Sequence, residues 1–159
     1  MQKEMNISQS MVDALKRPNF LPYEFFVSDT ARKLGLDNTT EDVSILANLN
    51  VTADKAQEFR DLLGFPMTTT SFYRSPIVNK AVGGQHDSQH LDGEAGDFIC
   101  PGFGTPAEIV AFIKKKGVEV DQCLVEKSGE SEWVHFSIKL NDNRNEFATL
   151  FNGIFKIIA

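Results

Sequence analysis

Two periodicities divide the chain. Over the first 64 residues, apolar positions recur at helical spacing. Beyond them they gather in short runs rich in β-branched and aromatic residues. Met11, Leu15 and Phe20 fall on one helical face, and the apolar run at 21–26 is expected to anchor the N-terminal part to the core. Ser28 reads as the N-cap of a short helix over 29–34, closed by Gly35. A loop at 38–40 leads to a second helix, with Glu41 and Asp42 in its first turn and Val43, Leu46, Ala47 and Leu49 as its buried side. A third helix is predicted after Thr52, through Ala56, Phe59, Leu62 and Leu63, with Gly64 as its stop.

The stretch 67–74 then reads as a strand ended by Pro76. Residues 79–84 read as turn and loop, where paired glycines permit positive φ. A short strand follows at 96–100. Thr105 caps a helix with the apolar stripe Ile109, Val110, Phe112 and Ile113. Lys114, Lys115 and Lys116 complement the dipole of its last turn, and Gly117 closes it. A hairpin pairs 118–126 with 133–140, turning near Ser128 and Gly129. Residues 141–145 form a polar turn, and the apolar stretch 147–158 is a last core strand or helix. Helices first and strands after predict an α+β fold, a small and mainly antiparallel sheet flanked by helices. The expected organisation is a single domain over 1–159, with an N-terminal extension at 1–20 and an apolar C-terminal element at 141–159.

Composition narrows the function. The chain has 159 residues, 42% hydrophobic and 24% charged, which suits a globular domain. A net charge of -6, with no basic stripe, disfavours nucleic acid as a partner. Cys100 and Cys123 lack metal or redox spacing and are expected to be reduced core residues. The opening residues M-Q-K-E-M-N-I-S-Q-S show no apolar signal region, and no run approaches the ~18 apolar residues of a membrane span. A monomer is expected.

The chemistry concentrates in S-Q-H-L-D-G-E-A-G-D at 88–97 and in W-V-H-F-S at 133–137. His90 and Asp97 are separated by small residues, Gly93, Ala95 and Gly96, that let the chain fold back on one ion. His135 sits on a predicted strand face beside Trp133 and needs a partner there. Two imidazoles and a carboxylate, with a fourth position open to water, suit a catalytic zinc. The plainer alternative is a buried His–Asp hydrogen bond and an unrelated core histidine.

These segments, with S-F-Y-R-S-P at 71–76, N-K-A-V-G-G at 79–84 and D-Q at 121–122, occur in one order. In that order the chain resembles the zinc D-alanyl-D-alanine carboxypeptidase-like peptidases, with S-D-T-A-R-K-L-G-L-D-N-T resembling the phage-type branch. The resemblance covers roughly 21–140 and implies the hedgehog/DD-peptidase fold with zinc on one sheet face. It implies His90, Asp97 and His135 as ligands, Arg74 over the site as an oxyanion or carboxylate clamp, and Ser88 as a substrate or loop contact. Phe72 stands where the family often has glycine, which implies a narrowed cleft. His86 stands where a small residue is usual and reads as a cleft-wall candidate.

Two glutamates compete as the acid–base group. Glu132 precedes His135 by three, the offset found in the family's D-alanyl-D-alanine dipeptidases. Glu126 resembles the acidic position of other branches. A regular strand puts Glu132 and His135 on opposite faces, so Glu132 serves only if the strand starts after it or bulges there. Glu126 shares a face with His135 if the hairpin loop has four residues, Ser128 to Ser131, and does not if it has five. The family offset favours Glu132; Asp121 and Gln122 read as hairpin supports.

The implied function is a zinc peptidase cutting an amide bond in peptidoglycan stem peptides, as a D-Ala-D-Ala carboxypeptidase or an L-Ala-D-Glu-type endopeptidase. Manganese or cobalt could replace zinc. The expected setting is a phage or prophage lysis protein, held in the host cytoplasm until holin release, or virion-associated. The alternatives are a non-catalytic wall-binding or virion structural module that keeps the zinc fold, and a membrane-active tail at 147–159.

Overall fold

The computed structural model describes residues 7–159. The first six, part of the expected N-terminal extension and of the stretch read for a signal region, lie outside the described residues. Helix α1 (Ile7–Asp13) ends early, so Leu15 and Phe20 do not extend its face as predicted. Both are instead buried from the turn that follows, where Arg17 and Phe20 exchange backbone hydrogen bonds of 2.9 and 3.2 Å. A 3-10 turn (Pro22–Phe26) buries Phe25. Helix α2 (Asp29–Leu34) starts where the Ser28 hydroxyl accepts from the Ala31 N–H and stops at Gly35, φ 64°.

One helix replaces the two predicted over 41–63. Helix α3 (Val43–Leu63) has 21 residues, and the Asp42 carboxylate caps it. No glycine or proline interrupts the stretch. Thr52, read as a new start, instead donates its hydroxyl to the Gly93 carbonyl at 2.6 Å. The buried face therefore runs through Leu46, Leu49, Ala53, Ala56, Phe59 and Leu63, while Val43, Ala47 and Leu62 are exposed.

The first strand, β1 (Thr68–Ser71), is shorter than predicted. Pro76 does not end it but opens helix α4 (Pro76–Ala81), with Ser75 as N-cap. Proline is favoured at a first helical position, because the N–H it lacks has no partner there. Strand β2 (Ala95–Ile99) is followed by α5 (Pro106–Lys116), capped by Thr105 and Gly117 as predicted. Then come β3 (Gln122–Ser128), β4 (Ser131–Ser137), β5 (Glu146–Phe151) and β6 (Ile154–Ile157).

The six strands form one mixed sheet in the order β1-β2-β4-β3-β5-β6. All pairs are antiparallel except β3 with β5. The apolar tail is thus neither one core strand nor a helix: β5 enters the sheet and β6 is its exposed edge, with Ile154 73% accessible. No helix among the described residues is long and apolar enough to cross a membrane.

Strand alternation separates two sheet faces. Phe98, Cys123, Val125, Val134 and Phe136 belong to the main core, where Phe59 stacks edge-on to Phe136 at 5.0 Å between ring centres. Asp97, Glu126, Trp133 and His135 take the alternate positions, on the opposite face. Phe72 is wholly buried against Phe25 and Phe136, so it does not narrow a cleft. Its ring fills the space a side chain would take at Gly96, whose missing Cβ would lie 2.6 Å from Phe72 Cζ. Gly96→Ala is expected to cost about 2 kcal/mol by overpacking, a fall in Tm of about 4–8 °C in a thermal melt.

Candidate metal centre

His90 lies in the loop before β2, Asp97 in the middle of β2, and His135 directly opposite Asp97 on β4. Pairing across adjacent strands places the last two side by side. The His90 loop is tied down from both ends. Arg74 N–H donates to the His90 carbonyl at 3.0 Å, and the His90 N–H donates to the Ser88 hydroxyl at 3.3 Å. All three ligand candidates are buried, and their ligand atoms lie within 4.8 Å of one another.

The donor set fits a zinc ion. His90 Nδ1 lies 2.7 Å from the Phe72 carbonyl, to which it can only donate, so Nε2 is the ring nitrogen left to meet an ion. That Nε2 lies 3.3 Å from Asp97 Oδ1, and His135 Nδ1 lies 2.9 Å from the same oxygen. Ligand atoms about 2.0–2.2 Å from a tetrahedral zinc stand roughly 3.3 Å apart, so a small adjustment admits the ion.

Burial presses Asp97 toward its neutral form, but the charge of His90 and hydrogen bonds from both histidines outweigh it and hold the carboxyl well below its usual range. Burial would depress the His135 imidazole; Asp97, with Glu126 behind it, reverses the sign and raises it.

The glutamates part company. Strand β4 begins at Ser131, before Glu132, and pairs with β3 without a bulge. Glu132 therefore faces away from His135 and is exposed, contrary to the loop or bulge expected there. Glu126 pairs directly with Trp133 and shares the face of His135, with Oε1 3.7 Å from His135 Nδ1. Its side chain is only 18% accessible. Burial, with Asp97 adding to it, pushes the Glu126 carboxyl above its ordinary range, against the pull of the histidines and the Trp133 N–H.

Glu126, His135 and His90 open on a cleft of about 450 Å³. Arg74 lines it too, three residues beyond the end of β1 rather than on a strand, with Nη1 donating to Asn79 Oδ1 at 3.1 Å. Gly84 admits that contact, because a Cβ there would meet Asn79 Oδ1 and Arg74 Nη1. Ser88 and Gln122 also line the cleft, whereas His86 is exposed beside a separate depression and is not brought to the ligands.

Arg144 and Leu150, on the far wall, were not read from the sequence as site residues. Both fall in the stretch read as turn and core tail, and the signal that places them is the parallel pairing of β5 beside β3. Asp121 organises that wall from a fully buried position. It accepts from Arg144 Nη2 at 2.6 Å, from Arg144 Nε at 3.0 Å and from Gln89 Nε2 at 3.0 Å, so one carboxylate fastens the His90 loop to the segment before β5. Asp121→Ala strips these donors of their acceptor. The cost is expected to be about 2–3 kcal/mol, below that of a fully buried pair because Arg144 is half exposed. Urea melts with an unchanged m-value would show it.

Residues 18–137 match the sequence model of the family described as Peptidase M15, well over half of the chain. No curated protein matches it.

Proposed function

The chain belongs to the peptidase M15 family, and from that premise we propose that it is a zinc-dependent peptidase acting on an amide bond of peptidoglycan stem peptides. One observation carries the reading: His90, Asp97 and His135 converge, buried, beside a carboxylate on the same sheet face at the floor of an open cleft. His90, Asp97 and His135 would hold the ion. When bound, zinc supplies a Lewis acid that lowers the pKa of water and polarises a carbonyl.

Glu126 is the acid–base group. It takes a proton as the water oxygen bonds to the scissile carbonyl carbon, and returns it to the amine nitrogen as the C–N bond breaks. The products are a carboxylate and an amine. Arg74 contributes a fixed guanidinium for the developing oxyanion or for a substrate carboxylate. Ser88 steadies the His90 loop and offers its hydroxyl to the cleft. The sequence resemblance supports a phage or prophage lysis setting, with action on the wall after release from the host cytoplasm.

The test is mass spectrometry of purified peptidoglycan incubated with the protein, with and without a chelator, beside a His135→Ala control. New muropeptides that disappear in both controls are expected, and their masses would separate carboxypeptidase from endopeptidase. No product across a panel of wall chemotypes, from folded zinc-loaded protein, would leave the fold as a binding module.

A further inference from the structure

Trp133 is the chain's only tryptophan. Its indole Nε1 is the one buried side-chain nitrogen or oxygen among the described residues that lacks a hydrogen-bond partner. An indole N–H can only donate, and leaving it dry and unpaired is costly. Its cross-strand partner is Glu126, on the same sheet face. Directly paired side chains have Cβ atoms roughly 5 Å apart, so the carboxylate is within reach of the indole. The two do not reach hydrogen-bonding geometry.

Glu126 leans toward His135 Nδ1, the nitrogen that also meets Asp97. At 3.7 Å that approach is too long for a hydrogen bond, so the carboxylate lies free beside a buried donor that lacks an acceptor. We propose that Trp133 is a positioning residue: with the site loaded, its indole N–H takes one Glu126 oxygen and leaves the other aimed at the attacking water. The proposal rests on the zinc reading above.

A single tryptophan gives a single indole cross-peak in the ¹H–¹⁵N spectrum. Adding one equivalent of Zn(II), with binding followed by calorimetry, is expected to move that peak downfield in the wild type and to leave it in place in Glu126→Ala. Trp133→Phe, which keeps the ring and deletes the donor, is expected to lower kcat about tenfold with KM unchanged, the loss of one hydrogen bond to a charged group. Zinc binding without movement of the indole peak, or with the same movement in Glu126→Ala, overturns the proposal alone. A Trp133→Phe enzyme that keeps kcat and loses only KM also overturns it. Absence of zinc binding by the folded wild type sinks the zinc reading and this proposal with it. Should Trp133→Phe fail to fold, the Glu126→Ala spectrum decides.

Discussion

Glu126→Gln is expected to lower kcat by about 10²–10⁴-fold, the range a positioned proton carrier supplies, while Glu132→Gln leaves kcat within about twofold. The contrast follows from strand parity. Glu126 and His135 occupy the same face of paired strands, 3.7 Å apart at their nearest polar atoms. Glu132 stands opposite Lys127 on the other face, exposed at the hairpin tip. Glutamine keeps the shape and hydrogen-bonding reach of Glu126 but cannot carry the proton, so KM should change little. Steady-state kinetics on a defined stem peptide would decide it. A large loss in the Glu132 variant with a mild one in the Glu126 variant would require a β4 that starts late in solution.

Asp97→Ala is the second large effect. Both histidines approach one oxygen of this residue, at 3.3 and 2.9 Å, so its removal takes away the central ligand atom of the three. Zinc affinity should fall by more than about a hundredfold, beyond the loss that outer-sphere partners alone produce, and activity should vanish at ordinary zinc levels. Competition calorimetry against a chelator measures the first directly. Stability of the metal-free protein need not follow, because burying an ionised carboxylate is itself costly and its imidazole partners only offset that cost. An unchanged affinity would remove Asp97 from the ligand set.

Local signals in the sequence proved the most legible. Ser28 with Gly35, and Thr105 with Gly117, bound their helices where predicted because a cap is a contact within a few residues. The breaks went wrong where one residue type serves two purposes. Pro76 reads equally as the end of a strand and the start of a helix, and only the Ser75 hydroxyl before it tips the balance. Thr52 reads as the start of a new helix, yet it is used sideways to hold the Gly93 carbonyl, a contact between positions 41 residues apart.

The α+β class emerged from the order of the elements, whereas the parallel partner of β3 did not. That pairing reaches over β4 and the polar turn, and no periodicity within β5 announces it. The candidate centre was legible as residue types, His90, Asp97 and His135, since few other places combine such groups with small neighbours. Which glutamate faces them was not, because it turns on the register of one hairpin, and a family offset of three competes with the alternation of a strand.

The far wall of the cleft lies outside the stretch that carries the family match, while its floor lies within it. The stretch that matches the peptidase family stops at residue 137, yet Arg144 and Leu150 border the cleft from beyond it. Leu150 sits directly across from Glu126 on the neighbouring strand, with Phe155 next to it on β6. The candidate metal centre and one bank of the cleft are thus carried on consecutive lengths of chain, joined through the pairing of β5 with β3. A protein engineer seeking to reshape the cleft would vary Leu150 and its neighbour Phe155 and leave everything up to β4 untouched, keeping Asp121 and Arg144 as the rivet between the two parts.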